Sequence, residues 1–292
     1  MPFIWLSDGR RLGYAEYGAP EGKPIFFFHG TPGSRLFCHP DDAIATALGA
    51  RLIVPDRPGM GLSDFKPGLM LLDWAVDVAA LADTLGLGCF AVAGFSGGGP
   101  YAAACGYSLS ARVTAMGFLS SVGPLSAPDA LTGMLPSNRL GYRVGRWMPW
   151  WAWRRIFHLY YGNVGAHPEK LAQMDKDEPP VDEDIFAQSG VREMFTASFA
   201  EAFCQGTDGV AWEGRLLARP WGFRVEEITV PTYLWQGEDD VVVTPAMGRY
   251  LAASIPNCTA TFLPGEGHLL FIKYWKDILG QLTGPGLASN VI

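Results

Sequence analysis

Short apolar runs recur along the chain, and most of them are continuous rather than alternating with polar residues. Continuous runs of this length are typical of strands that other elements cover on both faces. On this pattern we predict six buried strands, at residues 24–28, 51–54, 89–94, 113–119, 232–235 and 260–263.

The stretches between these runs carry apolar residues at helical spacing. In residues 71–85, for example, Leu72, Val76 and Ala79 share one face of the helix. Helices are therefore predicted at residues 41–48, 71–85, 97–109 and 245–253. Strands that alternate with helices in this way predict the α/β class, with a doubly wound and mostly parallel sheet.

The region 123–230 interrupts this alternation. It is rich in tryptophan, arginine and helix-forming residues and poor in strand patterns. We therefore predict a core domain formed by residues 1–122 and 231–292, with residues 123–230 inserted between two strands as a mostly helical cap domain.

Charge is distributed unevenly within this insertion. Residues 130–168 contain five arginines and no Asp or Glu, whereas residues 169–201 contain nine acids against three bases. We expect the two halves to attract each other, or the basic half to face a partner.

The overall composition excludes several classes of protein. Apolar residues make up 49% of the 292 residues and charged residues 17%, with a net charge of -7. Disordered chains combine low hydrophobicity with high net charge, and nucleic-acid binding favours a basic surface, so neither is expected. The five cysteines form no CxxC pair, which predicts buried free thiols rather than disulfides or a structural zinc site.

One stretch, residues 84–111, has no charged side chain and is long enough to span a membrane. It contains seven glycines and Pro100, which break helices, so we predict buried strand, turn and helix instead. The N-terminal residues MPFIWLSDGRR lack the basic segment of a signal peptide. We therefore expect a cytoplasmic protein with no transmembrane segment.

A candidate nucleophile, Ser96, lies within that stretch. An apolar run leads into Gly94-Phe95-Ser96-Gly97-Gly98 and then into an alanine-rich helix. This is the GxSxG pattern in the strand–turn–helix context that exposes a serine on a tight turn. Glycines are needed there because larger side chains would collide with the neighbouring chain, and the start of the helix directs free N–H groups toward the reacting centre.

A serine hydroxyl is a weak nucleophile unless a base accepts its proton. In this architecture the serine is followed by the acid and then by the histidine, and of the five histidines only His268 follows the late strands. The acid is expected just after the strand at 232–235, where Glu238, Asp239 and Asp240 are all candidates. Spacing alone does not choose between these three acids.

Taken together, these motifs resemble the α/β-hydrolase superfamily over almost the whole chain, from near Leu12 to near Leu282. Five short segments carry the resemblance in their order and spacing: HGTPG at 29–33, DRPGMGLS at 56–63, GFSGG at 94–98, GEDD at 237–240 and GH at 267–268. The aspartates found at the nucleophile position of dehalogenases and epoxide hydrolases of this superfamily are replaced here by Ser96.

The resemblance also implies roles for particular residues. It makes Asp240 the acid of the triad, with Asp239 as the fallback, and it gives the oxyanion hole to the backbone N–H groups of Thr31 and Gly97. His29, Asp56 and Arg57 are then implied to shape the loops beside the site, and the insertion corresponds to the cap that covers it.

Seven aromatic residues are concentrated in the first half of the insertion. They allow three interpretations: a wall for an apolar substrate, a helix on a membrane surface, or the core of the cap itself. On the first interpretation Trp147 and Trp151 line the substrate pocket, together with Phe28 and Phe95 beside the candidate serine. The seven residues are Trp147, Trp150, Trp151, Trp153, Phe157, Tyr160 and Tyr161.

The sequence therefore predicts a serine hydrolase that cleaves small, fairly apolar carboxylic esters with Ser96, His268 and Asp240, without a cofactor or metal. C–C bond hydrolase, lactonase, thioesterase, acyltransferase and lyase activities stay open, because specificity lies in the pocket rather than in these motifs. A non-catalytic receptor for a small apolar ligand is the alternative from another class. Peripheral membrane contact through the cap is a less favoured alternative, and no oligomeric state is predicted.

Overall fold

The computed structural model describes residues 2–170 and 178–284. Its strands are β1 (Phe3–Trp5), β2 (Arg11–Gly18), β3 (Lys23–Phe28), β4 (Ala50–Pro55), β5 (Phe90–Phe95), β6 (Val113–Leu119), β7 (Thr232–Gly237) and β8 (Cys258–Leu263). They form one sheet in the spatial order β1-β2-β4-β3-β5-β6-β7-β8. The β1–β2 and β2–β4 pairs are antiparallel, and all later neighbours are parallel.

Helices connect the strands and cover both faces of the sheet. Within the described ranges they are α1 (Asp42–Ala47), α2 (Leu71–Thr84), α3 (Gly99–Ser108), α4 (Pro136–Gly145), α5 (Trp150–Tyr161), α6 (Pro180–Phe186), α7 (Val191–Ala202), α8 (Asp208–Leu217), α9 (Pro245–Ser254) and α10 (Leu270–Thr283). The predicted class is confirmed: this is an α/β fold with a mostly parallel, doubly wound sheet.

The six predicted strands are present as β3 to β8, with boundaries that differ by up to two residues. The two N-terminal strands were not predicted. In β2 the residues Arg11 and Glu16 interrupt the apolar pattern, and the strand is only partly buried. Antiparallel strands near a sheet edge keep contact with water, so they lack the continuous apolar run that identifies the central strands.

The alternation of side chains along each strand divides the apolar core into two clusters. In β3, for example, Phe26 and Phe28 belong to the cluster under α2 and α3. Ile25 and Phe27 belong to the cluster under α10 on the opposite face. Period-two alternation therefore places every central strand between two apolar layers, which explains the continuous apolar runs in the sequence.

The insertion between β6 and β7 contains α4 to α8, and its described residues form no strand. Leu217 at the end of α8 joins the cluster under α2 and α3, and Phe195 of α7 joins the cluster under α10. The insertion thus packs continuously with the core, and its treatment as a separate cap domain stays a prediction. Residues 171–177 of the acidic stretch and residues 285–292 of the predicted core domain lie outside the described residues.

All five cysteines are free, but only some of them are buried as expected. Cys38 and Cys105 are buried, whereas Cys89 and Cys204 are exposed. The expectation of uniformly buried thiols was therefore wrong, because Cys89 precedes β5 and Cys204 follows α7, where the chain returns to the surface.

Candidate active site

Ser96 directly follows β5 and has a positive backbone φ of 52°. Non-glycine residues rarely adopt this conformation, and such strain is concentrated at functional sites. Residues Ser96–Gly98 form a single 3-10 turn that leads into α3. A Cβ atom on Gly94 would overlap with the carbonyl of Gly98, and one on Gly98 would overlap with the carbonyl of Phe28. Both positions therefore require glycine if the turn is to be this tight.

His268 lies in the loop between β8 and α10, and its ring is buried beside the carboxylate of Asp240. The His268 Nδ1 and Asp240 Oδ2 atoms are 2.8 Å apart, which is hydrogen-bond distance. An ionised carboxylate only accepts hydrogen bonds, so Nδ1–H donates to it and Nε2 remains the basic nitrogen. The other two candidate acids, Glu238 and Asp239, are exposed, and Glu238 pairs with Arg249.

The Asp240 carboxylate is itself held by three further donors. The backbone N–H groups of Val242 and Val243 donate to its Oδ1 over 2.9 and 2.8 Å. The side-chain amide of Gln236 donates to Oδ2 over 3.1 Å. These donors fix the orientation of the carboxylate, because each of its oxygens is bound from a defined direction.

Burial and charge act in opposite directions on His268. Burial disfavours the imidazolium and lowers the pKa, but the nearby carboxylate of Asp240 favours the charged form, as do Asp182 and Glu178. The attraction to these acids exceeds the cost of burial, so the pKa of His268 is raised above its usual value. The site is therefore suited to stabilise a positive charge on this ring.

The structure does not bring all three triad residues into hydrogen-bond contact. Within the described residues, Asp240 and His268 are joined, but no hydrogen bond joins Ser96 Oγ to His268. Phe95, the neighbour of Ser96, packs against the His268 ring with the ring centroids 4.9 Å apart. The turn that contains Ser96 therefore directly follows a residue that contacts the His268 ring, and catalytic hydrogen bonds commonly tighten only when substrate binds.

The two predicted oxyanion-hole residues lie next to each other. A Cβ atom on Gly97 would overlap with the Thr31 side chain and would lie 3.1 Å from Leu217 Cδ1 of the insertion. A Cβ atom on Gly30 would lie 3.6 Å from Ser96 Cβ. The loop that contains Thr31 is thus in direct contact with the turn that contains Ser96.

Arg57 holds this loop in place. Its guanidinium donates to the carbonyls of His29 and Gly30 over 2.6 and 2.8 Å. The same buried guanidinium forms an ion pair with Glu213 of α8, with Nη2 and Oε2 3.1 Å apart. Arg57 therefore links the loop that contains Thr31 to α8 of the insertion.

His29 and Asp56 also have loop-shaping contacts, as the resemblance implied. His29 is fully buried, with Nδ1 2.9 Å from the carbonyl of Gly30. Burial and the nearby charge of Arg57 hold its pKa well below the usual value. Asp56 accepts hydrogen bonds from the backbone of Arg35 and Leu62 and pairs with the Arg35 guanidinium over 2.8 Å.

Asp182 of α6 is part of the site, although no sequence motif marked it. Its carboxylate accepts hydrogen bonds from the backbone N–H groups of His268 and Leu269, over 2.7 and 2.8 Å. The side chain is fully buried, and burial raises its pKa against the effect of these bonds. The second half of the insertion thus reaches the histidine loop directly.

Two of the described acids in the stretch 169–201 bind the core of the protein, and the expected attraction between the basic and acidic stretches stays a prediction. Asp182 binds the histidine loop, and Glu201 pairs with Arg35 of the core over 2.7 Å. Arg154 of the basic stretch forms an exposed ion pair at 2.6 Å with Asp208 of α8. Among the described residues, the buried acids Asp182 and Glu213 therefore connect the insertion to the core.

The four candidate pocket residues have different environments. Phe95 contacts the His268 ring, as described above. Phe28 is fully buried and packs against Trp74 on the face of the sheet covered by α2. Trp147 and Trp151 are 78% and 72% exposed. Phe28, Trp147 and Trp151 therefore cannot serve as the enclosed wall that the sequence suggested, because one faces the opposite layer and two face solvent.

A surface cavity of about 440 Å³ lies where the chain enters and leaves the insertion. It is lined by Leu125, Arg146, Trp221, Phe223 and Tyr250, among others, and by none of the triad residues.

No helix in the described ranges is both long and apolar enough to cross a membrane. The same ranges contain no cluster of three or more His, Cys, Asp or Glu side chains arranged to hold a metal ion.

The mostly parallel sheet carries a strained serine at the end of β5 and a buried histidine–aspartate pair at the ends of later strands. Residues 23–273 match the model of the family described as alpha/beta hydrolase fold. Because this match spans most of the chain, the chain belongs to the α/β-hydrolase fold family, and the resemblance seen in its motifs is confirmed.

The curated relatives of this chain include two non-heme chloroperoxidases. The chain is 32% identical over 138 residues to a non-heme chloroperoxidase from Streptomyces lividans, a match that covers 45% of this chain and about half (50%) of that relative. It is 27% identical over 285 residues to a non-heme chloroperoxidase from Burkholderia pyrrocinia, covering 92% of this chain and 93% of the relative.

Solved structures show the same fold. The enol-lactonase from Burkholderia xenovorans LB400 superposes with a TM-score of 0.69 at 18% identity, covering 96% of this chain and 97% of the lactonase. At this identity the likeness supports the architecture and not the substrate.

Proposed function

We propose that this chain is a serine hydrolase that cleaves small, fairly apolar carboxylic esters through an acyl-enzyme. The observation that carries the proposal is the buried His268–Asp240 pair, 2.8 Å apart, beside a serine held at a φ of 52°. A strained backbone and a buried charged pair both cost free energy that the surrounding structure must offset. A loop without a functional role is not expected to retain both.

In the first step, His268 Nε2 accepts the hydroxyl proton of Ser96 as Oγ attacks the ester carbonyl. Asp240 stabilises the imidazolium that forms and keeps the ring in the correct tautomer. The raised pKa of His268 favours this charged state. The backbone N–H groups of Thr31 and Gly97 donate to the oxyanion, and one such donor contributes about 3 kcal/mol to stabilising the transition state.

In the second half of the reaction, His268 protonates the alcohol as it leaves, and the acyl group remains on Ser96. Water then attacks the acyl carbonyl while His268 accepts its proton, and collapse of the intermediate releases the acid and restores the serine. These steps need no cofactor or metal. The cytoplasmic location stays a prediction, which cell fractionation would test.

Asp182 acts in this proposal as a positioning residue for His268. It contacts neither the ring nor the reacting atoms, but it binds the backbone N–H groups of His268 and Leu269. A Cβ atom on Gly267 would overlap with the Asp182 carboxylate, so the loop and α6 are fitted closely together. Catalysis is sensitive to displacements of about 1 Å, so this contact contributes to the rate through geometry.

The direct test is hydrolysis of a chain-length series of p-nitrophenyl esters by the wild type and Ser96→Ala. We expect turnover to fall by about 10⁴-fold or more in the variant, because the nucleophile is lost. Ser189→Ala, at an exposed serine, is the matched control and should retain full activity. An active Ser96→Ala variant would disprove the proposed mechanism.

A wider substrate panel separates the alternatives on the same triad. Lactones, thioesters and vinylogous diketones should be poorer substrates than short-chain esters. If one of them is preferred and Ser96→Ala abolishes its turnover, the ester assignment is wrong while the triad stands. Tight binding of a small apolar ligand by a folded wild type without turnover would instead support the receptor alternative.

A second candidate activity follows from the chloroperoxidase relatives. On this chain, hydrogen peroxide would replace water as the nucleophile that attacks the acyl-enzyme, which would release a peroxy acid able to oxidise halide. The test is bromination of an activated dione in the presence of peroxide, bromide and acetate. Loss of this activity in Ser96→Ala would support it, and equal activity in wild type and variant would reject it.

A further inference from the structure

The first half of the insertion exposes two sets of apolar and basic residues. On α4, Leu140 and Arg143 are three residues apart and share one helix face, and Trp147 is exposed in the turn that follows. On α5, Trp151, Arg155 and Leu159 are spaced by four residues and share another. We call these six residues the arginine–aromatic face.

The exposure of this face is unusual for its residue types. Leu140 is 63% exposed, Trp147 78%, Trp151 72% and Leu159 71%. Tyr160, beside the face on α5, is 81% exposed. Single exposed apolar residues are common on proteins, but a group of this size on adjacent helices typically marks an interaction site.

The opposite sides of α4 and α5 are already occupied by α8. The Trp153 indole N–H donates to the carbonyl of Ala211 over 2.7 Å, and the rings of Trp150 and Trp212 lie 5.1 Å apart. The aromatic residues of α5 are therefore divided in two. One group forms the contact with the rest of the protein, and the other group, which includes Trp151, is turned away from it.

The charge around this face identifies its partner. Residues 130–168 contain five arginines and no acid, on a chain whose net charge is -7. Arg154 pairs with Asp208, whereas Arg143, Arg146 and Arg155 form no ion pair with any residue in the described ranges. The Arg146 guanidinium lies over the Trp147 ring, 5.0 Å from its centroid. A locally basic, aromatic-rich surface matches an anionic phospholipid surface, where tryptophan occupies the interface and arginine binds phosphate.

We infer that the arginine–aromatic face docks this protein on the surface of a bilayer that contains anionic phospholipid. The helices would lie in the plane of the interface, since α5 has only 12 residues and a spanning helix needs about 20. Docking of a second copy through the same face is disfavoured, because it would bring the unpaired arginines of both chains together. The inference does not depend on the proposed hydrolase activity.

The test is co-sedimentation of the full chain with vesicles of phosphatidylglycerol and phosphatidylcholine in equal parts, compared with vesicles of phosphatidylcholine alone. We expect binding to the anionic vesicles, weakening as the salt concentration rises. Trp147→Ala combined with Trp151→Ala should reduce vesicle binding about tenfold or more, because buried aromatic area anchors such helices. Trp5→Ala is the matched control, since Trp5 is 67% exposed on β1, and it should bind like the wild type.

Charge variants test whether the arginines contribute to vesicle binding. Arg143→Gln and Arg155→Gln should each weaken binding roughly fivefold, as expected for one basic side chain near an anionic surface. Far-UV circular dichroism and the Tm establish that each variant is folded. Absence of binding, equal binding to both kinds of vesicle, or equal loss in Trp5→Ala would each overturn the inference. Concentration-dependent dimerisation that disappears in the tryptophan variant would also overturn it, in favour of a second copy as the partner.

Discussion

The two halves of the insertion differ in what they do with their charged and aromatic residues. The second half, α6 to α8, directs two acids into the core: Asp182 binds the backbone of the His268 loop, and Glu213 pairs with Arg57, which in turn holds the loop that contains Thr31. The first half, α4 and α5 with the turn between them, exposes four of its five arginines and two of its tryptophans to solvent. One insertion therefore combines a part that supports the site with a part that is free to contact something outside the protein.

The comparison also shows that burial decides how much an ion pair matters for stability. Arg57 and Glu213 are 1% and 2% exposed, whereas Arg154 is 57% exposed in its pair with Asp208. Removing one partner of a buried pair leaves a charge without solvent or counter-ion, while an exposed charge is simply rehydrated. Variants in the two halves should therefore differ in their effect on folding and on catalysis.

The largest effect is expected from Glu213→Ala. It would leave the Arg57 guanidinium buried and unpaired, which we expect to lower the free energy of unfolding by about 3–5 kcal/mol. Asp208→Ala, on the same helix, breaks only the exposed pair with Arg154 and should cost at most about 1 kcal/mol. Chemical denaturation of both variants measures the difference, and similar losses in the two would contradict the contrast between the halves.

A smaller loss of stability, with a loss of activity, is expected from Asp182→Ala. Two buried backbone N–H groups lose their acceptor, so the free energy of unfolding should fall by about 2–4 kcal/mol. Displacement of His268 should lower kcat by roughly 10- to 100-fold with little change in KM. Asp184→Ala, at an exposed position on the same helix, is the control for both measurements. An Asp182→Ala variant with unchanged kcat would show that Asp182 has no positioning role.

A third expectation concerns pH. His268 must be neutral to accept the serine proton. As the pH is lowered, kcat/KM should therefore begin to fall at a higher pH than it would with an ordinary histidine, because the pKa of His268 is raised. Asp182→Asn removes one of the negative charges that raise this pKa, so the acid limb of the kcat/KM profile should move to lower pH. Asp184→Asn should leave the profile in place. A shift of the acid limb to higher pH in Asp182→Asn would contradict this account of the site.

The smallest effect is expected from the exposed half. Trp151→Ala and Leu159→Ala remove side chains that are 72% and 71% exposed. Each should change the free energy of unfolding by no more than about 0.5 kcal/mol, because little contact area is lost. Denaturation measures this directly. A loss above about 2 kcal/mol in either variant would mean that these residues are part of a packed core.

Much of the fold follows from local sequence patterns. The central strands β3 to β8 are continuous apolar runs because both faces of the sheet are covered, and this can be recognised without a structure. β2 was missed because Arg11 and Glu16 lie in a partly solvated strand, where the pairing partner rather than the apolar pattern decides the conformation.

The candidate site likewise contains residues that local sequence motifs identify and residues that only the structure reveals. Ser96 and His268 were identified from motifs, because a tight turn around the nucleophile restricts the neighbouring residues to glycine. Asp182 and Glu213 lie in no motif, and their partners are 86 and 156 residues away in the chain. For Trp147 and Trp151 the sequence left three interpretations open, a pocket wall, a membrane-surface helix and the core of the cap, since all three use the same aromatic residues.

The sequence by itself determined the class of fold, the strained turn of Ser96 and the order of the catalytic candidates, because each depends on residues close together in the chain. The choice of Asp240 over Asp239 came from the family resemblance, because spacing alone left both open. Only the tertiary structure decided that Asp182 holds the His268 loop, that Glu213 pairs with Arg57, and that Trp147 and Trp151 face solvent. These outcomes depend on which distant segments pack together, and burial is a property of that packing rather than of any single segment.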